Sequence, residues 1–232
     1  ALDRLLITKV RSDLAVAQGY FERVLGEVGS SAVAVADSQA LHRALGDSMA
    51  APVDPGVWVA LLQAFKAREG LDFINLRAPD GTLQFTDFGA APSTDARSPA
   101  FRAATPSDGI RPRASIEVLQ ADELARLAPA LQDRVAVPLV STRNAAPTER
   151  TQEDRAMVVL ATAPVHDQRG TLRGHVQAGV LLNRNLPFID HINEIVYPEG
   201  ALPFGSRGTA TLFLDDVRIS TNVRLFGDDP KN

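Results

Sequence analysis

Residues 156–182 read AMVVLATAPVHDQRGTLRGHVQAGVLL, and this stretch decides the fold. The run 156–165 is nearly uncharged and rich in Val and Ala, and at about half the ~20 residues a spanning helix needs it cannot cross a bilayer. Asp167-Gln168-Arg169-Gly170 supplies turn chemistry. Residues 172–182 then place His175, Gln177 and Gly179 on one face and Val176, Ala178 and Val180 on the other. Two long strands joined by a glycine turn make an antiparallel hairpin, the centre of a sheet.

Working outward, residues 71–77 alternate as a strand with Phe73, Asn75 and Arg77 on one face, Pro79-Asp80-Gly81 turns the chain, and 82–86 returns it. Residues 114–119 read as another strand, 121–131 as a short helix, 134–141 as a strand, and 142–153 as a polar loop. Beyond the central hairpin, 183–196 carries Leu186, Ile189, Ile192, Ile195 and Val196 at helical spacing. A third hairpin, 209–214 with 217–223, turns at Asp215-Asp216. Upstream, Asp54 and Pro55 start a helix with Trp58, Leu61, Leu62 and Phe65 on one side, and Gly70 ends it. Antiparallel strands without βαβ alternation define an α+β fold.

The chain opens on a long helix. From Leu6 through Val10, Leu14, Ala17, Phe21, Val24, Val28 and Ala32 to Val35 the apolar steps are all threes and fours, so one stripe runs along a helix of up to ~60 Å. Gly19, Gly26, Gly29 and Ser30-Ser31 are where a bend is expected. A helix that outreaches its own domain leaves apolar residues for a partner, which predicts a homodimer through this helix.

Composition removes whole classes of function. The 232 residues carry 24 basic and 28 acidic side chains, net charge −4, with no basic stripe, so nucleic acid is not a partner. There are no cysteines, hence no disulfide, thiolate metal site or thiol nucleophile. His42, His166, His175 and His191 fall on separate elements without zinc-site spacing, so no metal is expected. Lys9, Lys66 and Lys231 are the only lysines and none follows a glycine-rich loop, so nucleotide motifs and cofactors are absent. Ser206 reads as a turn residue and not a nucleophile, Asp215-Asp216 as a turn and not paired carboxylates, and Asp228-Asp229 as tail.

The candidate ligand site is the polar face of the sheet. Asn75, Arg77, His175 and Gln177 lie on it, and the Pro- and Ser-rich stretch 87–112, with Arg111 and Arg113 at its end, is placed to roof it. Solvated side chains on an open sheet face are the alternative reading of the same alternation.

Two motifs carry a resemblance. Gly179-Val180-Leu181-Leu182-Asn183-Arg184-Asn185 leading into the helix 188–196, and the run from Gly208 to Val223 through Leu212-Phe213-Leu214-Asp215-Asp216, resemble the extracytoplasmic double-Cache sensor region of bacterial transmembrane sensor histidine kinases. The strand and Pro-Asp-Gly turn of 71–81 are similar to the first sensor hairpin, and the element order matches over essentially the whole chain. The resemblance implies a helix at 1–50, a membrane-distal PAS-like sensor domain at 51–185, and a linking helix with the start of a membrane-proximal module at 186–232. It also implies a periplasmic location on a bacterial inner-membrane protein, with membrane spans, kinase activity and ATP outside this chain. Both ends are expected to continue, since the second module is incomplete. The aromatic and arginine signature of the amino-acid-binding relatives has no match, Trp58 being the only tryptophan, so no ligand class carries over. A hydrolase using His175 with a carboxylate and a ligand-free protein-binding ectodomain are the competing functions.

Overall fold

The computed structural model describes residues 2–46, 54–90, 112–140, 149–201 and 208–223, with side chains from residue 15 onward. The element order is α1 (Leu2–Ala36), α2 (Gln39–Leu45), α3 (Pro55–Glu69), β1 (Phe73–Arg77), β2 (Leu83–Thr86), β3 (Gly89–Ala90) and β4 (Arg113–Leu119). Then follow α4 (Ala121–Leu127), a 3-10 turn (Pro129–Leu131), α5 (Gln132–Val135), β5 (Val137–Pro138), β6 (Gln152–Glu153), β7 (Ala156–His166) and β8 (Leu172–Leu181). The chain continues as α6 (Leu186–Val196), β9 (Thr211–Leu214) and β10 (Val217–Thr221). It divides into two compact units, one of Arg23–Ala136 with Asp154–Leu181, the other of Ala1–Glu22, Val137–Glu153 and Leu182–Asn232.

The first unit is built on a six-stranded antiparallel sheet of order β3-β2-β1-β8-β7-β4. β7 and β8 are the expected hairpin, in register from Val158 opposite Leu181 to Val165 opposite Gly174. Pro164 sits beyond Thr162, the last β7 residue paired with β4, so its missing N–H breaks no bond on that side. β1 is buried along its whole length between β2 and β8. Ile74, Leu76, Val176, Ala178, Val159 and Ala161 share one face, and all are buried.

That dry face receives helices. Gly29 of α1 approaches Ala114 so closely that a Cβ there would touch the alanine methyl at 3.7 Å, and Trp58 of α3 stacks on Phe85 of β2 with ring centroids 4.9 Å apart. The α1 stripe is spent here, since Val24, Val28, Ala32 and Val35 are all buried. α1 runs unbroken through its glycines and stops at Asp37. Ser38 turns extended, and its Oγ caps α2 by accepting from Leu41 N at 3.3 Å. The interruption expected at the glycines therefore falls later in the chain: packing against the sheet holds the helix where propensity is low, and a serine cap begins the next one.

α3 starts and stops as the sequence predicts. Asp54 accepts from Gly56 N at 2.9 Å with Pro55 in the first turn, and Gly70, at φ 65°, closes the end in the left-handed region. The opposite face of the sheet is apolar at one end, where Phe73, Val158, Leu160 and Leu181 pack with Leu119, Leu124, Leu127, Leu131 and Val135. This cluster corrects the strand expected at 134–141. Residues 132–135 are helical because Val135 belongs to the cluster, and only Val137–Pro138 is extended, paired with Gln152–Glu153.

The second unit carries α6, the β9–β10 hairpin and the β5–β6 pair. Asn185 caps α6, its Oδ1 accepting from Phe188 N at 3.1 Å. Tyr20 and Phe21 of α1 lay their rings against Phe188, and Tyr20 also meets His191 with centroids 4.8 Å apart. Asp215 adopts φ 54° in the two-residue turn between Leu214 and Val217, so Asp215-Asp216 is a turn as predicted. Ser206, Asp228 and Asp229 lie outside the described residues, as does nearly all of the 87–112 stretch; β3 extends the sheet at its start.

Candidate functional site

Strand register assembles the site. Asn75 of β1 pairs with Thr86 of β2 and with Gln177 of β8, Gln177 pairs with Thr162 of β7, and Thr162 pairs with Arg113 of β4. Directly paired residues project to the same face, so Thr86, Asn75, Gln177, Thr162 and Arg113 form one row across five strands. Arg77 and His175 pair in the next row.

The row is buried. Asn75, Arg77, Gln177 and Thr162 are each 0% exposed and His175 is 4% exposed, so these side chains do not form the open, solvated face of the alternative reading. Arg113 stands apart as an exposed residue at the sheet edge, and Arg111 lies outside the described residues. Of the six predicted site residues, four come together. Thr86 and Thr162 were missed, because they join only through register, although a lone threonine in the otherwise apolar 158–165 run was a signal.

Arg77 holds the row in place, its Nε donating to Gln177 Oε1 at 3.2 Å and its Nη1 to the Gly81 carbonyl at 3.0 Å. Thr86 Oγ1 donates to the Gly89 carbonyl at 2.9 Å and accepts from Gly89 N at 3.1 Å. Asn75 Nδ2, Asn75 Oδ1, Gln177 Nε2 and Thr162 Oγ1 are buried without a hydrogen-bond partner. Buried polar atoms are nearly always paired, and each exception costs about 1–3 kcal/mol, so four neighbours in one row are unusual for a structural core.

His175 turns its polar edge toward Ala78, with Nδ1 3.4 Å from that carbonyl. Burial pushes its pKa below the ordinary value, the Ala78 carbonyl pulls it up, and the charges of Arg77 and His166 push it down again. The charges acting on His175 disfavour an imidazolium, whereas a hydrolytic base relies on a carboxylate that favours one.

At the turn end of the central hairpin, a depression of about 330 Å³ is lined by Asp37, Gln39, His42, His166, Asp167 and Gln168. It brings together two histidines that sequence spacing keeps apart. Asp167 is committed to its turn, Oδ1 accepting from Arg169 N and Thr171 N at 2.9 Å each, and these bonds hold its carboxyl below the usual range. Among the described residues no group of three or more His, Asp or Glu is placed to hold a metal ion, and no helix is long and apolar enough to cross a membrane.

No family model matches the chain, and no curated protein matches it. Among solved structures, the periplasmic domain of Vibrio cholerae LuxQ is similar over 97% of this chain and 82% of its own length, at 15% identity and a TM-score of 0.52. Its selenomethionine form covers 95% and 80% at 14% identity, with a TM-score of 0.51. The Escherichia coli DcuS sensor domain covers 76% of this chain and 98% of its own length at 15% identity, with a TM-score of 0.45. At these identities the likeness to the LuxQ periplasmic domain is one of fold alone.

Proposed function

We propose that the chain is the signal-sensing region of a bacterial sensor histidine kinase, held outside the cytoplasm on the inner membrane by flanking segments. It binds a small molecule over the polar row and passes the event on through α1. The supporting observation is the set of four partnerless atoms on Asn75, Gln177 and Thr162, fully buried on one face of a sheet whose other face carries α1. A ligand that completes those hydrogen bonds stabilises one arrangement of the sheet. Because α1 packs on that sheet, a change in the sheet's preferred arrangement is also a change for the helix. The PAS-like, Cache-type fold agrees with such a role, and the kinase chemistry would belong to segments beyond this chain.

Two copies would pair through the N-terminal part of α1. From Val24 onward the stripe is buried within the chain, and toward the N-terminus Val16, which flanks the stripe, is 41% exposed.

The test is a thermal-shift screen of this chain against small polar metabolites. A ligand at 100 times its Kd adds about 2.7 kcal/mol, several degrees in Tm. A saturable shift that Gln177→Met abolishes supports the reading. Saturable binding that survives loss of Asn75, Gln177 and Thr162 polarity would move the site elsewhere and defeat it.

A further inference from the structure

The polar row also indicates what kind of molecule it takes, an inference that rests on the sensing role proposed above. Arginine is a donor only, so the bond from Arg77 Nε to Gln177 Oε1 fixes which end of that amide faces the guanidinium. Gln177 Nε2 is thereby turned away from Arg77, buried and without an acceptor. Beside it on one strand, Asn75 has neither its amide nitrogen nor its amide oxygen engaged; beside it on the other, the Thr162 hydroxyl is likewise unengaged. The row thus offers amide N–H donors, one amide carbonyl and one hydroxyl, all uncharged.

The nearest cation, Arg77, is oriented toward the protein's own acceptors. A guanidinium clasps a carboxylate through two parallel N–H groups, either Nε with Nη2 or Nη1 with Nη2. Arg77 Nε is given to Gln177 and one Nη1 hydrogen to Gly81 at 3.0 Å, so the fork of Nε with Nη2 is taken and the guanidinium is oriented by the protein's own groups. Arg77 is a positioning residue for the Gln177 amide. An ionised carboxylate placed on the row would be desolvated against neutral dipoles, a poor exchange for its hydration. Neutral oxygen and nitrogen groups match the row without that penalty.

We infer that the Asn75–Gln177–Thr162 row binds a neutral, hydroxyl- or carboxamide-bearing small molecule. With strands about 4.8 Å apart, the three side chains present their polar atoms over roughly 10 Å, so the ligand carries at least two polar groups separated along its length.

Titration calorimetry and thermal shift on this chain test the inference, with xylitol, ribose and propionamide as neutral probes and propionate and succinate as charged ones. The expected result is saturable binding of at least one neutral probe and none of either carboxylate. Asn75→Leu and Gln177→Met each weaken that binding about tenfold or more, as expected when a ligand polar group loses its partner. Thr162→Val, which removes only the hydroxyl and keeps the volume, provides a variant that folds. Row-dependent binding of a carboxylate with no neutral probe binding overturns the ligand class and leaves the sensing role standing. No binding by any probe, with Thr162→Val and Gln177→Met more stable than the parent, makes the row a strained polar core and overturns both.

Discussion

The ring of Phe73 lies on the bare Cα of Gly179, its directly opposite partner across β1 and β8; a Cβ added to Gly179 would overlap the Phe73 ring, with Cε2 only 2.8 Å away. Position 179 is thus glycine because an aromatic ring occupies the space a side chain would fill. Phe73 is fully buried and roots the apolar end of the face whose other end is the polar row.

Gly179→Ala should therefore destabilise the chain by about 1–3 kcal/mol, the usual cost of overpacking a rigid core. Urea unfolding of Gly179→Ala, Phe73→Leu and the double variant checks it. The double variant should lose clearly less than the sum of the two single losses, because the smaller side chain relieves the clash. Additive losses would mean that the two positions do not share the space.

Asp72 clamps three elements next to that pair. Its Oδ2 accepts from Leu181 N at 2.7 Å, its Oδ1 accepts from Arg134 Nη1 at 2.9 Å, and its own N–H donates to the Gly179 carbonyl at 2.9 Å. A charged acceptor on a backbone N–H at a partly buried position contributes about 1.5–3 kcal/mol, whereas an ion pair to a half-exposed arginine contributes about 0–1 kcal/mol. Asp72→Ala should thus cost more than Arg134→Ala, and the Leu181 amide should exchange faster with deuterium in the first variant but not in the second. Equal costs would assign the stabilisation to the ion pair instead.

The elements that the sequence made legible are those where pattern and punctuation agree. The 156–182 hairpin has strand alternation on both sides of Asp167-Gln168-Arg169-Gly170, Asp54-Pro55 marks a helix start by chemistry alone, and Asp215-Asp216 is short enough to be only a turn. Where signals conflict, packing decides. Residues 132–135 are too few for periodicity to choose between strand and helix, and Val135 goes where the leucines of α4 need it. The site was half legible for a geometric reason. Alternation within one strand puts Asn75 with Arg77 and His175 with Gln177, but only register between strands brings Thr162 and Thr86 into line and sends Arg113 to the edge. Burial of the whole row could not be read from alternation, since a polar face in sequence is the same whether water or protein covers it.

His175 gives a pH signature with a definite sign. Burial first, then the charges of Arg77 and His166, set its pKa in the folded chain below 6.5, against the pull of the Ala78 carbonyl. Above that pH the imidazole is neutral in both states. As pH falls below it, the unfolded chain takes up a proton that the folded chain refuses, so stability declines until the lower folded pKa is passed and then levels off. The slope attributable to this one group is at most about 1.4 kcal/mol per pH unit. Unfolding free energies of the parent and of His175→Asn, measured between pH 7.5 and 5 (roughly the window in which an unperturbed histidine titrates), should diverge at neutral pH and approach each other on acidification. A gap that widens as pH falls would mean that the folded chain stabilises the imidazolium.

Trp58 makes the packing of α3 on the sheet directly visible. It is the only tryptophan, it is 3% exposed, and it stacks on Phe85 with the rings 18° from parallel. An indole shielded from water emits at shorter wavelength than an exposed one, so the folded chain should fluoresce to the blue and shift red in a single step with urea. Aromatic pairs contribute about 0.5–1.5 kcal/mol beyond the area they bury, so Phe85→Leu should lower the unfolding midpoint while keeping the two-state shape. The same variant should move the folded-state emission toward the red, because the indole loses the ring that covers one of its faces. Red-shifted emission in the parent itself would show that α3 does not dock on β2, and with it the dry face of the sheet would lose one of the two helices that cover it.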